Sequence, residues 1–291
     1  STDYSGDLNI DEKILARVVD TYRRVRNTLK FLLANVSDFD PATDSVPFND
    51  LLEIDKYALS RAAQVQADIR AHFDAYEFHP VVSKLQLYCS EDLGALYLDV
   101  LKDRLYTTAT KSLARRSAQT ALHQITHAML RWMSPFLSFT AEEAWTTFGK
   151  SESIFLETFT DLGASNAALM DKWRTVQLVR EIANKEIENK RTEGLVGASL
   201  QAELTIHCNG ATYDALASLG DDLKFVFITS KVTLIKGEGE VLTVEVKSSA
   251  AAKCDRCWHY SDDVGYNPAH PTLCGRCDSN LHGDGEVRHF A

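Results

Sequence analysis

Cys254 and Cys257, then Cys274 and Cys277, form two C-x2-C pairs with sixteen residues between them. Thiolates at that spacing can close a tetrahedral shell around zinc, with Zn–S bonds near about 2.3 Å. A redox dithiol would need only one pair, on a strand-to-helix turn. Four thiolates leave no open position for water, so the expectation is one structural Zn2+. The tail from Lys253 to Ala291 is Cys-, His- and Gly-rich and too polar for a core of its own. Metal binding would therefore supply its folding energy. Gly265 and Gly275 suit the tight turns, and His259, His270, His282 and His289 lie near enough in sequence to replace a cysteine.

Arg17, Arg23, Arg24, Arg26 and Lys30 stand against Asp20 alone over residues 17–30. Arg23, Arg26 and Lys30 recur at i, i+3, i+7, one row of a helix. Two readings remain open: a solvated face with intrahelical ion pairs, or a phosphate-binding surface. Lys102, Arg104, Lys111, Arg115 and Arg116 form a weaker basic group. Trp258 follows a zinc ligand directly, with Arg256 inside the first knuckle. It is either ribbon core or a stacking platform for an unpaired base.

Other features point to no chemistry. Cys89 and Cys208 are isolated and read as small buried hydrophobes. His123 and His127 have the i, i+4 spacing of a metal pair but lack a third ligand. Gly237-Glu-Gly239 sits between strands and reads as a hairpin turn rather than a phosphate loop. No Walker sequence, G-x-S-x-G or nucleophile–base pair occurs, so no catalytic residue is assigned.

The elements that must position these groups are mostly helical up to about residue 165. Leu15, Val18, Tyr22, Val25, Leu29 and Leu32 alternate spacings of three and four, one buried stripe. Asn9 with Glu12 reads as a capping box at its start. Further helices are expected from about Asp50 to Tyr76, from His79-Pro80 through about Asp103, and from Lys111 to Pro135. A second capping box, Thr140 to Glu143, opens a short piece holding Trp145 and Phe148. Residues 151–168 read as a linker, followed by a helix from about Ala168 to Arg191. Period-two alternation then predicts strands at Gln201–His207, Lys231–Lys236 and Glu240–Lys247. Thr212–Leu219 and Asp221–Ile228 read as short helices between them.

The 291 residues allow two or three domains, and 45% apolar with 25% charged residues excludes a mostly disordered chain. No apolar run approaches the roughly 18 residues that span a bilayer. The opening Ser1 to Asp7 shows no signal peptide and looks like a cut within a longer protein. A net charge of −10 argues against wholesale coating of nucleic acid, though a local basic face still acts within about 8–10 Å. Paired cysteines without a leader fit metal in a reducing, cytoplasmic setting.

Tyr22-Arg-Arg-Val-Arg-Asn-Thr28, Phe31-Leu-Leu-Ala-Asn35 and Phe39-Asp-Pro41 resemble the opening of the anticodon-binding bundle of bacterial isoleucyl-tRNA synthetases. The same holds for Tyr97-Leu-Asp99 with Lys102-Asp-Arg104, and for Arg115-Arg-Ser117 with Gln119 to Leu122. It extends to Pro135 through Trp145, to Cys254-x-Arg-Cys-Trp-His-Tyr260, to Cys274-Gly-Arg-Cys277 and to Gly283-Asp-Gly-Glu286. The likeness covers essentially the whole chain. It implies a mainly α fold: a helical bundle of the class I synthetase anticodon-binding type over 1–165, a helix plus small α+β junction module over 166–250, and a C-terminal four-cysteine zinc ribbon over 251–291.

The resemblance also implies a role. The family's complete enzyme activates isoleucine with ATP and transfers it to tRNA. Neither His-x-Gly-His nor Lys-x-Ser-Lys-Ser occurs here, so ATP would belong to a catalytic core that this chain lacks. The chain would act by recognising the anticodon arm of isoleucine tRNA, through Arg23, Arg24, Arg26, Lys30, Arg256 and Trp258. Its partners would be that tRNA and the N-terminal catalytic core of the same enzyme, with a monomeric, membrane-free habit. A similar zinc finger occurs in formamidopyrimidine-DNA glycosylases. The alternative is therefore a zinc-stabilised protein-interaction or DNA-binding module with no tRNA role.

Overall fold

Glu12–Asn35 forms α1, and Asp11 rather than Asn9 caps it: Asp11 is extended and its carboxylate accepts the Ile14 N–H at 2.7 Å. The computed structural model describes residues 2–3, 5–238 and 242–291. The apolar stripe of α1 is buried only in its second half, at Val25, Leu29 and Leu32. Leu15 and Val18 remain 49% and 40% exposed, against expectation. Spacing specifies a common face, not whether another element covers it.

After a short turn at Phe48–Asp50, α2 runs Glu53–Asp74. The next expected helix is made of three parts: α3 at Phe78–Leu87, a π-helical stretch at Tyr88–Tyr97, and α4 at Leu98–Thr107. A π-turn widens the backbone spiral by one residue and shifts the faces that follow. Helix α5 is Leu113–Met133 and α6 is Ser138–Thr147. Thr140 lies inside α6 and not at its cap, its hydroxyl 3.0 Å from that of Tyr22. Glu142 reaches out of the helix to accept the Ile154 N–H. The expected linker is thus pinned, with Ile154 buried and the Trp145 indole donating to the Glu152 carbonyl.

Helix α7, Ala167–Thr192, leads into β1 (Ala202–Cys208), α8 (Gly210–Ala217), α9 (Leu223–Phe227), β2 (Lys231–Lys236) and β3 (Thr243–Ser248). The sheet order is β2-β1-β3, with β1 parallel to β2 and antiparallel to β3. Strands β2 and β3 flank β1, so Gly237-Glu-Gly239 does not join a hairpin; Gly239 itself lies outside the described residues, as do Glu240 and Val241 of the expected third strand. Alternate residues of β1, from Ala202 to Cys208, are buried, and α7 packs on the module. The ribbon follows as β4 (Ala252–Lys253), β5 (Tyr260–Ser261) and α10 (Gly275–His282). No described helix is long and apolar enough to cross a membrane.

The chain divides into two compact units that interleave along the sequence. One comprises residues 1–51, 55–99 and 116–166; the other comprises 52–54, 100–115 and 167–291. The first centres on Trp132, Trp145, Leu32, Leu59 and Ile69. Within it Asp55 is fully buried and accepts hydrogen bonds from Tyr97 and Ser117. Two positions of the motifs that carry the resemblance therefore complete a core polar network. In the second unit, Trp173, Val176 and Ala183 of α7, Leu204 and Ile206 of β1, and Val226 and Phe227 of α9 are all buried apolar residues.

Candidate metal centre and nucleic-acid interface

The two strands of the β4–β5 hairpin pair at Ala252 with Ser261 and Lys253 with Tyr260, which puts the first C-x2-C on the hairpin's tip. Cys274 is the N-cap of α10 and Cys277 lies in its first turn. The helix N-terminus favours thiolates there. All four cysteines are free and buried, and their sulfurs lie within 4.8 Å of one another. Gly265 takes a φ of +84° and donates to the Leu273 carbonyl. Gly275 donates to Asp263 Oδ2 at 2.9 Å, and a Cβ there would approach that oxygen to 2.7 Å. Both glycines are required by the knuckle geometry.

The electrostatics of the cluster fit a divalent cation. S–H donation from Cys274 and Cys277 pulls the Cys257 thiol below its ordinary value. Hydrogen bonding to Cys257 in turn pushes Cys274 up to about 12, and Cys277 higher still. Four buried sulfurs this close suit a shared metal that would take them as thiolates, and a divalent ion of zinc's softness matches a four-thiolate set. Val264 and Leu273 pack against the cluster and shield it.

A buried ion network, not foreseen from the sequence, secures the ribbon within its unit. Asp103 of α4 accepts from Arg276 at 2.7 and 2.9 Å and from Arg288. Glu286 binds both arginines from the other side. Burial alone would raise the Asp103 carboxyl, but Arg276 and Arg288 outweigh it and hold it well below the usual range. Phe225 stacks under the Arg288 guanidinium, 3.3 Å from ring centroid to Cζ. The sequence did carry a signal. Charges in a tail with no apolar core must find partners.

Arg256 and Trp258 are placed differently. The Arg256 guanidinium donates to the Thr107 carbonyl, and the side chain is half-buried. Trp258 is 60% exposed, with Lys253 Nζ 5.4 Å over its ring. Its φ is +65°, a left-handed conformation costly for a bulky residue. It is therefore not part of the ribbon core. Of the nearby histidines, His259 is buried beside Asp103 and Arg276, and His270 and His282 stack on each other. The His289 backbone donates to Asp222.

On α1, Arg23 forms an i, i+3 pair with Asp20, and Arg26 makes a bidentate pair with Glu143 at 2.9 Å. Glu143 and the Tyr22 hydroxyl raise the Arg26 value further. Arg26, and after it exposed Lys30, lowers the Glu143 carboxyl. Arg24 is exposed and forms no ion pair among the described residues. The second basic group is not a patch: Arg104 is 1% exposed, Arg115 donates to the Leu105 carbonyl, and Arg116 pairs with Asp44 and Gln119. His123 and His127 pack among Phe39, Trp145 and Phe148. Cys89 is buried, its thiol pushed up to about 12 by burial, and Cys208 is buried in β1.

Comparison with known proteins extends this picture. Residues 55–206 match the family described as the anticodon-binding domain of tRNA ligase, and residues 252–280 match the zinc finger found in FPG and IleRS. An isoleucine–tRNA ligase of Burkholderia cenocepacia is 58% identical over the whole of this chain and 31% of its own length. Those of Paraburkholderia phytofirmans and Cupriavidus necator are 59% and 58% identical with the same coverage. The chain thus spans about a third of these relatives, matching their C-terminal part. With the helical bundle, the four-cysteine ribbon and these matches in agreement, the chain belongs to the family of anticodon-binding domains of tRNA ligases.

Proposed function

We propose that this chain is the tRNA-recognising part of a longer, cytoplasmic isoleucine–tRNA ligase, holding the anticodon arm of isoleucine tRNA while the acceptor end reaches a catalytic core outside the chain. Residues 1–165 serve as the anticodon-binding bundle, 166–250 as the junction and 251–291 as the ribbon of a monomeric enzyme. ATP acts only in that core. One zinc, held by Cys254, Cys257, Cys274 and Cys277, would cross-link the knuckles and supply no catalysis.

Exposed Trp258, held in a left-handed turn beside a metal ligand, carries the reading. An indole fixed in that way is a preorganised face for an unpaired base. Arg256 orders the knuckle through Thr107, and Lys253 adds charge at the ring. On α1, Arg24 and Lys30 offer the most available phosphate contacts, and Arg23 and Arg26 contribute after exchanging their carboxylate partners. The anticodon-domain match over residues 55–206 disfavours a pure DNA-binding or protein-interaction module, which would leave the bundle unaccounted for.

Binding of an anticodon stem-loop of isoleucine tRNA tests this. Trp258→Ala should retain zinc and lose about 1–3 kcal/mol of affinity, whereas Trp258→Phe keeps part of it. Full affinity in zinc-loaded Trp258→Ala would remove the platform.

A further inference from the structure

Helix α10 carries Asp278 and His282 four residues apart on one face, and the loop before Cys274 brings His270 to them. One donor atom from each of the three lies within 4.8 Å of the others. The two imidazoles are nearly parallel, with ring centroids 4.1 Å apart and planes at 8°. The carboxylate is oriented from behind. Asn267 Nδ2 donates to Asp278 Oδ2 at 3.0 Å, and Asn267 is fixed in turn by the Ala269 and His270 N–H groups.

That arrangement leaves Asp278 Oδ1 buried and without a hydrogen-bond partner among the described residues, 3.9 Å from His270 Nε2. An acceptor in that position is costly, and a cation shared with the imidazoles would satisfy it.

We propose that His270, Asp278 and His282 form a second metal site, separate from the thiolate cage, that binds a divalent first-row transition ion such as zinc. Two imidazoles and one carboxylate suit that class. Tetrahedral bonds near about 2.1 Å set neighbouring donors roughly 3.4 Å apart, so a small rotation of exposed His282 closes the triad. Asn267 supplies the outer-shell hydrogen bond that such carboxylate ligands ordinarily carry. Three protein ligands leave a fourth position to water, so this ion exchanges more readily than one enclosed by four sulfurs.

The experiment uses the full chain with its thiolate-bound zinc in place, in a non-chelating buffer. Added zinc is followed by isothermal calorimetry, and cobalt serves as the spectroscopic probe. The native protein should take up one further equivalent, with cobalt bands that lack thiolate charge transfer. His282→Ala and His270→Ala should each weaken this uptake at least tenfold, leaving the cysteine-bound zinc and the helical signal unchanged. No further equivalent, undiminished uptake in both variants, or a thiolate signature in the second equivalent would each overturn the site.

Discussion

Asp103→Asn tests the claim that buried charge, as well as metal, secures the ribbon. Asp103 and Glu286 balance Arg276 and Arg288, and none of the four side chains is more than 15% exposed. Asparagine preserves shape but leaves two guanidiniums against one carboxylate. Breaking a buried pair from one side costs about 3–5 kcal/mol. At roughly 2–4 °C per kcal/mol for a unit of this size, the melting temperature should fall by roughly 6–20 °C. Scanning calorimetry, with zinc release followed by a chromogenic chelator, measures both consequences. Removing one of the surplus charges as well, in Asp103→Asn with Arg288→Met, should recover part of the loss. A decrease below about 1 kcal/mol would refute the network's role. Acid supplies a second check. The folded value of Asp103 lies below its unfolded value of 3.8, so its contribution is complete above that value and disappears as pH falls through the lower one.

Cys254→Ser should lower zinc content and loosen the ribbon while the helical signal of the bundle persists, as measured by elemental analysis and circular dichroism. Arg24→Ala should reduce the salt slope of tRNA binding by about one counterion, and Arg26→Ala by less, because Glu143 already engages that guanidinium; filter binding across a salt series compares them. Burial, then Lys150, lowers His123 to about 4, and burial, then Arg131, lowers His127 to about 3. These folded values lie below the unfolded 6.5, so the bundle should lose stability as pH falls from 6.5 toward 4. Urea midpoints should show this, and His127→Gln should flatten the dependence.

The parts legible in the sequence are those set by local periodicity or fixed spacing. Period-two alternation located β1 and β2 closely, and the cysteine spacing located the metal cluster. What escaped depends on distant partners. Arg26 meets Glu143 across 117 residues, which no helical row reveals. The exposed flank of α1 at Leu15 and Val18 has the period of a buried stripe without a covering element. Likewise β2 and β3 are neighbours in sequence, yet β1 lies between them, because strand order follows the crossover through α8 and α9. The two roles that the sequence allows Trp258 are distinguished only by its exposure and its backbone angle, which no local pattern encodes.

The pairing of Asp103 with Arg288 also bears on how the chain is made. A ribosome adding about 5–20 residues per second needs roughly 10–40 s to cover the 185 residues that separate the two. Throughout that interval α4 carries a carboxylate whose final counter-charges have not been synthesised. The unit of residues 52–54, 100–115 and 167–291 therefore cannot close progressively from its first segment. Its last step waits for Arg276 and Arg288. A nascent chain stalled before Arg276 should remain open to protease around residues 100–115, and closure should coincide with emergence of Arg276 and Arg288 from the exit tunnel.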